Sequence, residues 1–304
     1  RSVAVEVPAA LTLKDIWTLI DTAEQTRQHC MMLENAVYDR FEMAVCQMVH
    51  EGLLGELVHV EGGYAHPIGD RWTPWRMEYS RLNAGDVYPT HSIGPVCRLL
   101  DIHRTDRMHY LTAMQTNAFL GTEMYHAVMG KACDSFANGD QTSTMIRTIK
   151  GKTMLIQHNV MTPRPYSRMF QAVGTAGYAA KYPVPEVQLS PEMAAKAGIE
   201  MEDDKLPLNA SQTETLLNHY VPSFPSETIA LAKELDARGG MSYFMDLRLA
   251  QCLQQGLPLD MDVYDLAEWC CVAELSKRSI EQGSMPVMIP DFVNRRSSVD
   301  TENL

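Results

Sequence analysis

The chain has 304 residues, of which 45% are hydrophobic and 21% charged, and its net charge is -12. This length allows one large domain or two modest ones with a sizeable core. The acidic charge argues against nonspecific binding to nucleic acid or to an anionic membrane, because both need a basic field. No apolar run approaches the roughly 18 residues of a transmembrane helix, so none is predicted.

The beginning of the chain alternates strands and helices. Residues 3–7 read as an apolar strand, and a helix over 12–25 begins at the capping residue Thr12. The apolar run "CMMLEN" and a helix over 40–51 follow. This order predicts parallel strands covered by helices. A chain that starts inside a strand is typical of a fragment, so we expect further sequence before residue 1.

Consecutive strands replace this alternation beyond residue 53. Strand-like runs cover residues 56–66, 107–117, 142–149, 153–160 and 168–174. Gly151 in the turn "IKGKT" predicts a hairpin, which is typical of an antiparallel or mixed sheet. We therefore predict a partial dinucleotide-binding domain over 1–52 and a substrate-binding α/β domain over 53–304.

The last third of the chain is predicted to be helical. After a Pro- and Gly-rich excursion over 176–210 with one short helix, helices are expected over 226–237, 241–255 and 261–282, the last capped by Asp260. They should cover one face of an open, mostly antiparallel sheet. The other face would then be free for a ligand or a partner subunit.

Common catalytic and metal motifs are missing from the sequence. It contains no GxSxG, P-loop, HExxH or GxGxxG motif. Seven scattered cysteines without a CxxC pair argue against a disulfide framework or a zinc site, and we expect no metal. The sequence leaves the compartment open between the cytoplasm and export after folding.

A dense group of aromatic, Arg and His residues precedes and includes the run "YPTH" at 88–91. Aromatic rings stack on the apolar faces of a sugar, and polar groups orient its hydroxyls. The alternative is a packed surface loop with ordinary cation–π pairs. His91 opens an apolar helix, where the helix dipole favours the neutral imidazole that a general base needs, although a structural role also fits.

Polar residues also end the two predicted parallel strands. Glu6, in "EVP", and Asn35, in "LEN", fall where α/β folds bind ligands, at the carboxyl ends of strands. Simple polarity at a strand end is the alternative. Tyr38 is not placed by periodicity, and neither is Tyr166 in the basic, aromatic loop "TPRPYSR".

Several motifs together resemble a known family. They include "VAVEVPAALTL", "HCMMLENAVY", "YPTH" and "PVMIPDF". This combination resembles the NAD-dependent α-N-acetylgalactosaminidases of glycoside hydrolase family 109, which share the Gfo/Idh/MocA oxidoreductase fold. The resemblance covers residues 3–293. It implies the C-terminal part of a Rossmann domain followed by an α/β domain with an open sheet.

The resemblance implies NAD as the cofactor and N-acetylgalactosamine-terminated glycans as the substrates. NAD⁺ would take a hydride from C3 of the sugar, after which a base removes the C2 proton and the C1 substituent is eliminated. Water then adds and the hydride returns, so that two flanking carboxylates are not required. The family's glycine-rich loop is not in this chain, and we expect the chain alone not to retain NAD.

Site residues follow from the same resemblance. Against NAD it places Glu6, Val7 and Asn35. Against the sugar it places Tyr64, Arg76, Tyr88, Pro89, Thr90, His91 and Tyr166. His91 is the expected proton-transfer group near C3, with Tyr38 and Tyr166 as further acid or base candidates.

Two other functions remain open. The chain could be an NAD(P)-dependent sugar or cyclitol oxidoreductase of the same fold, although Val7 stands where those enzymes carry a lysine and Val87 where they carry an aspartate. It could also be a truncated, non-catalytic sugar-binding subunit. In each case we expect a homo-oligomer formed through the open sheet face.

Overall fold

The structure is a computed structural model that describes residues 1–201, 203–235 and 239–294. The first region contains strand β1 (Val3–Glu6), helix α1 (Leu13–Thr26), strand β2 (Cys30–Leu33), a 3-10 turn (Asn35–Tyr38) and helix α2 (Arg40–His50). Strands β1 and β2 pair in parallel, with Glu6 beside Leu33. Thr12 caps α1, since its hydroxyl accepts a hydrogen bond from the amide of Asp15 at 3.1 Å.

A larger sheet dominates the rest of the molecule. Its strands are β3 (Leu57–Ala65), β4 (Met108–Gln115), β5 (Thr142–Thr148), β6 (Thr153–Asn159), β7 (Gln171–Gly174), β8 (Gly177–Ala180), β9 (Glu186–Leu189) and β10 (Val287–Met288). They lie in the order β10-β4-β5-β6-β3-β7-β8-β9. Only the β3–β6 pair among them is parallel, so the sheet is mostly antiparallel, as predicted.

The remaining helices connect and cover these strands. They are α3 (Pro74–Leu82), α4 (Thr90–Leu99), α5 (Gly121–Met129), α6 (Pro191–Lys196), α7 (Ala210–Tyr220), α8 (Ser226–Leu235), α9 (Met241–Gln255) and α10 (Val263–Glu281). A short 3-10 turn covers Gly69–Arg71. None of the helices within the described ranges combines the length and apolarity that a membrane crossing requires.

Helix α10 lies at the centre of the core. It packs on β4 of the large sheet, on β2 of the small one and on α1. Its Trp269 is fully buried. Helix α4 packs on β3 and β6, so α4 and α10 cover the same face of the large sheet. Alternate strand residues such as Ile146 and Ile156 are fully buried on that face, which confirms the predicted sheet with helices on one side.

Some expectations need correction. The excursion over 176–210 contains strands β8 and β9 besides the predicted short helix. Asp262, not Asp260, caps α10, and its carboxylate accepts hydrogen bonds from the amides of Tyr264 and Asp265. The predicted helical residues 236–237 lie outside the described ranges. The domain boundary at residue 53 stays a prediction.

Candidate active site

The carboxyl ends of β1 and β2 form one edge of the site. Glu6 ends β1 with an exposed side chain, and Asn35 begins the turn after β2 with a mostly buried one. The hydroxyl of Tyr88 donates to the carbonyl of Val7 at 3.2 Å. This contact joins the predicted cofactor residues to the "YPTH" segment, 81 positions later in the chain.

A continuous aromatic cluster lies beside this edge; it consists of Tyr64, His66, Tyr88, His91 and Tyr166. The ring of Tyr64 lies 5.6 Å from that of Tyr88, 5.1 Å from that of His91 and 4.8 Å from that of His66. The ring of His66 in turn lies 5.4 Å from that of Tyr166. Strand β3, the loop before α4, helix α4 and the loop after β6 thus bring together residues that the sequence analysis grouped by composition, and Tyr166, which it grouped with them only by resemblance.

Close packing of α4 on β3 sets the position of His91. A Cβ atom built on Gly62 of β3 would collide with the backbone carbonyl of Ser92, so only glycine fits at this crossing. Pro89 caps α4 without a side-chain hydrogen bond. Thr90 is fully buried, and its hydroxyl has no hydrogen-bond partner among the described residues. Its predicted contact with the sugar stays a prediction.

The contact between His91 and Glu34 is a feature that the sequence analysis missed. Glu34 follows β2 directly and is fully buried, and its Oε1 lies 2.6 Å from Nδ1 of His91. The same oxygen accepts the amide of Ala36 at 3.0 Å. The motif "LEN" marks this position as polar at a strand end, but nothing local indicates its burial or its partner. An imidazole with a buried carboxylate on one nitrogen is suited to proton transfer through the other.

Burial shifts the pKa of three groups around His91 toward their neutral forms. Burial lowers the pKa of His66, and it lowers the pKa of His158 to about 4. The ring of His158 lies 6.4 Å from that of Tyr64. Burial also raises the pKa of Tyr88 well above its usual range. Arg76 places its guanidinium carbon 5.0 Å from the centre of the Tyr88 ring. A neutral, hydroxyl-rich ligand with an apolar face fits these surroundings.

Tyr166 is attached to a buried group of charges. Its hydroxyl accepts a hydrogen bond from Nη1 of Arg168 at 2.9 Å. Arg168 is only 4% exposed and pairs with Asp39, at 2.7 Å, and with Glu42, and Lys181 contacts the same two carboxylates. Burial alone would raise the pKa of Asp39, but Lys181 and Arg168 outweigh it and hold that pKa well below its usual range. The result is a fixed orientation for the Tyr166 hydroxyl.

Tyr38 lies in a different environment. Its hydroxyl donates to Oδ2 of Asp260 at 3.1 Å, and Asp260 also pairs with Arg248 at 2.8 Å. Burial, followed by the charge of Asp260, raises the pKa of Tyr38 well above its usual range. Tyr38 lines a cavity of about 570 Å³ whose lining includes Phe224 but no member of the aromatic cluster. A catalytic role for Tyr38 beside His91 stays a prediction.

Three side chains among the described residues have the spacing of metal ligands: His103, Asp262 and Asp265. Arg104 already donates to both carboxylate oxygens of Asp265, at 2.9 and 2.7 Å. Asp262 and Asp265 also cap α10. The arrangement is therefore accounted for as an ion-paired helix cap.

Comparison with known proteins identifies relatives that match most of the chain. The family described as glycosyl hydrolase 109, C-terminal domain, matches residues 69–298. Glycosyl hydrolase family 109 protein 1 of Bacteroides fragilis is 52% identical over 300 residues, which cover 96% of this chain and 64% of that protein. A family 109 protein of Porphyromonas gingivalis shows the same identity and coverage. The chain thus spans about 64% of the length of these curated relatives.

Solved structures show the same fold at low identity. An NAD binding oxidoreductase from Klebsiella pneumoniae matches with a TM-score of 0.68 and 14% identity, over 96% of this chain and 74% of that one. An inositol dehydrogenase homolog from Azotobacter vinelandii, complexed with NADH and myo-inositol, matches with a TM-score of 0.57 and 16% identity, over 95% and 72% of the two chains. At these identities the likeness shows the fold alone.

Proposed function

The chain belongs to glycosyl hydrolase family 109, and we propose that it carries the sugar site of an NAD-dependent hydrolase that removes terminal α-linked N-acetylgalactosamine from glycans. The observation that supports this most is the aromatic cluster, with the His91–Glu34 contact, beside the carboxyl ends of β1 and β2. Rings suited to packing on a sugar, and an imidazole suited to act as a base, lie next to the edge where α/β folds bind nucleotides.

The residues present fit one end of a dinucleotide. Glu6 is exposed at the end of β1, and Asn35 follows β2. The Tyr88–Val7 contact keeps the amino acids of the proposed sugar site against this edge. When bound, NAD would supply reversible acceptance of a hydride from the sugar. The resemblance assigns that hydride to C3.

The protein's own groups would bind the sugar and move protons. Tyr64 and Tyr88 would pack against the apolar face of the ring, and Arg76 would orient a hydroxyl or the N-acetyl group. His91 would take the proton of the hydroxyl on the carbon that is oxidised. Tyr166, oriented by Arg168, would serve as the acid or base for the C2 proton and the departing group.

A second function is an oxidoreductase that acts on a free sugar or cyclitol. Proteins described as an inositol dehydrogenase homolog and a levoglucosan dehydrogenase share the fold. Val7 argues against this function, because its side chain is 7% exposed and has no proton to donate. A non-catalytic sugar-binding subunit is the third possibility.

One assay separates the three functions. The chain is incubated with 4-nitrophenyl α-N-acetylgalactosaminide, with and without NAD⁺, and the assay is repeated with His91→Ala. Release of nitrophenol that needs NAD⁺ and is lost in His91→Ala supports the hydrolase. If NADH accumulates from free sugar and no nitrophenol is released, the oxidoreductase replaces the hydrolase as the function. If neither nitrophenol nor NADH forms but calorimetry shows that the sugar binds, the chain is a binding subunit.

A further inference from the structure

We propose that Glu34 is a positioning residue that holds the neutral ring of His91 in the tautomer protonated at Nδ1, so that Nε2 is the nitrogen that exchanges protons with the sugar. The inference rests on the proposed function for the proton exchange, but the tautomer itself does not. The sequence analysis includes Glu34 in the motif "LEN" but gives it no role.

The contact between Oε1 of Glu34 and Nδ1 of His91, at 2.6 Å, is short enough for a hydrogen bond. An ionised carboxylate only accepts hydrogen bonds, so with Glu34 in that form the proton of this bond lies on Nδ1. The neutral ring then carries its lone pair on Nε2. Since the side chain of His91 is 15% exposed and that of Glu34 is not exposed at all, water competes little for the bond.

Glu34 has little freedom to turn away. The amide of Ala36 donates to the same oxygen at 3.0 Å, and Gly94 of α4 lies so close that a Cβ there would be 3.0 Å from Cγ of Glu34. Among the ion pairs of the described residues, His91 is the partner of Glu34, and no Lys or Arg pairs with it. A buried carboxylate without a cationic partner is costly, so a role toward His91 explains its presence better than stability does.

The proton transfer balances without any further group. The lone pair on Nε2 forms an N–H bond with the hydroxyl proton of the sugar, and the electrons of the broken O–H bond stay on oxygen. Nδ1 keeps its own proton, Glu34 stays ionised and its charge stabilises the imidazolium. Return of the proton from Nε2 restores the starting state.

Nuclear magnetic resonance of histidine labelled with ¹⁵N tests the tautomer in the full chain. The spectra are recorded well above the ordinary pKa of histidine, about 6.5, and His91→Gln identifies the signals of His91. We expect a protonated Nδ1 and an unprotonated Nε2 in the unsubstituted chain, and this measurement needs no Glu34 variant to fold. A proton on Nε2 there would overturn the proposal.

Two substitutions of Glu34 separate its hydrogen bond from its charge. Glu34→Gln keeps a carbonyl acceptor and should keep the tautomer, whereas Glu34→Leu should move the proton to Nε2. The matched control is Glu61→Leu, because Glu61 lies 3.5 Å from His59 in a partly exposed pair and should leave His91 unchanged. An unchanged tautomer in folded Glu34→Leu contradicts the proposal.

Activity gives an independent measurement. In the nitrophenyl assay, Glu34→Leu should lower kcat by about 100-fold, as loss of a general base does, and change KM little, because the buried carboxylate does not touch the sugar. If the unsubstituted chain releases no nitrophenol even with NAD⁺ in large excess, the proposed function fails while the spectra still decide the tautomer. A loss of activity that appears only as a raised KM, with kcat unchanged, would contradict the positioning role.

Discussion

At the scale of single residues, the buried charges behind Tyr166 should be decisive for stability. Arg168→Met leaves Asp39 and Glu42 buried with Lys181 alone, so we expect a loss of about 3–5 kcal/mol in the free energy of unfolding. Denaturation by urea at neutral pH measures this loss.

The control is Arg40→Met. The pair of Arg40 with Glu214 has the same separation of 2.7 Å but is exposed, so this substitution should cost less than about 1 kcal/mol. Equal losses would contradict the interpretation.

Asp86 should make stability depend on pH. Burial raises its pKa to about 7, from about 3.9 in an unfolded chain. Between these two values the folded chain holds a proton that the unfolded chain has lost, so the free energy of unfolding falls as pH rises, by up to about 1.4 kcal/mol per unit. Asp86→Asn removes this contribution. Urea denaturation of both proteins at about pH 5 and about pH 8 should show a smaller decrease for the variant.

The residue scale also shows how far sequence reasoning reaches. Tyr64, Arg76, Tyr88 and His91 were grouped first by composition and then by resemblance, and the structure does bring them together. Glu34 was missed because its importance depends on a contact across 57 positions, and a polar residue after a strand is equally compatible with exposure. Burial at that position follows from the packing of α4 and α10, which no local pattern specifies.

At the scale of elements, the crossing of α4 over β3 holds the site together. Gly62→Ala would drive a methyl group into the backbone carbonyl of Ser92, which cannot turn aside as a side chain can. We expect a loss of about 3 kcal/mol or more in the free energy of unfolding, measured with urea. Gly69→Ala is the control, because no atom lies within 4 Å and only its positive φ of 62° adds a cost of about 1 kcal/mol. A similar loss in both variants would show that the crossing tolerates a side chain.

The elements that were predicted well are those with long periodic patterns. The helix expected over 261–282 forms as α10 (Val263–Glu281), and the strand expected over 142–149 forms as β5 (Thr142–Thr148). Strands β8 and β9 were missed because each is short and lies in a stretch rich in Pro and Gly, which favours a loop. They are ordered by pairing with β7 and with each other, information that lies outside their own sequences.

At the scale of the whole molecule, the uncovered face of the large sheet predicts self-association. Met114 is 63% exposed and Met145 is 47% exposed, and Met145 lies opposite Thr112 and Leu155 on neighbouring strands, on the face that α4 and α10 do not cover. Adjacent exposed apolar side chains on a sheet are typical of a protein interface. We therefore expect the chain to be a homo-oligomer that buries this face.

Met145→Lys should shift this oligomer to monomer, because the substitution would bury an unpaired charge in the interface. Light scattering after size-exclusion chromatography, over a range of concentrations, measures the mass. Leu253→Lys is the matched control, since Leu253 is 46% exposed on α9 and lies outside the sheet. A monomeric unsubstituted chain would rule out this interface, and an equal effect of Leu253→Lys would place the contact on the helices instead.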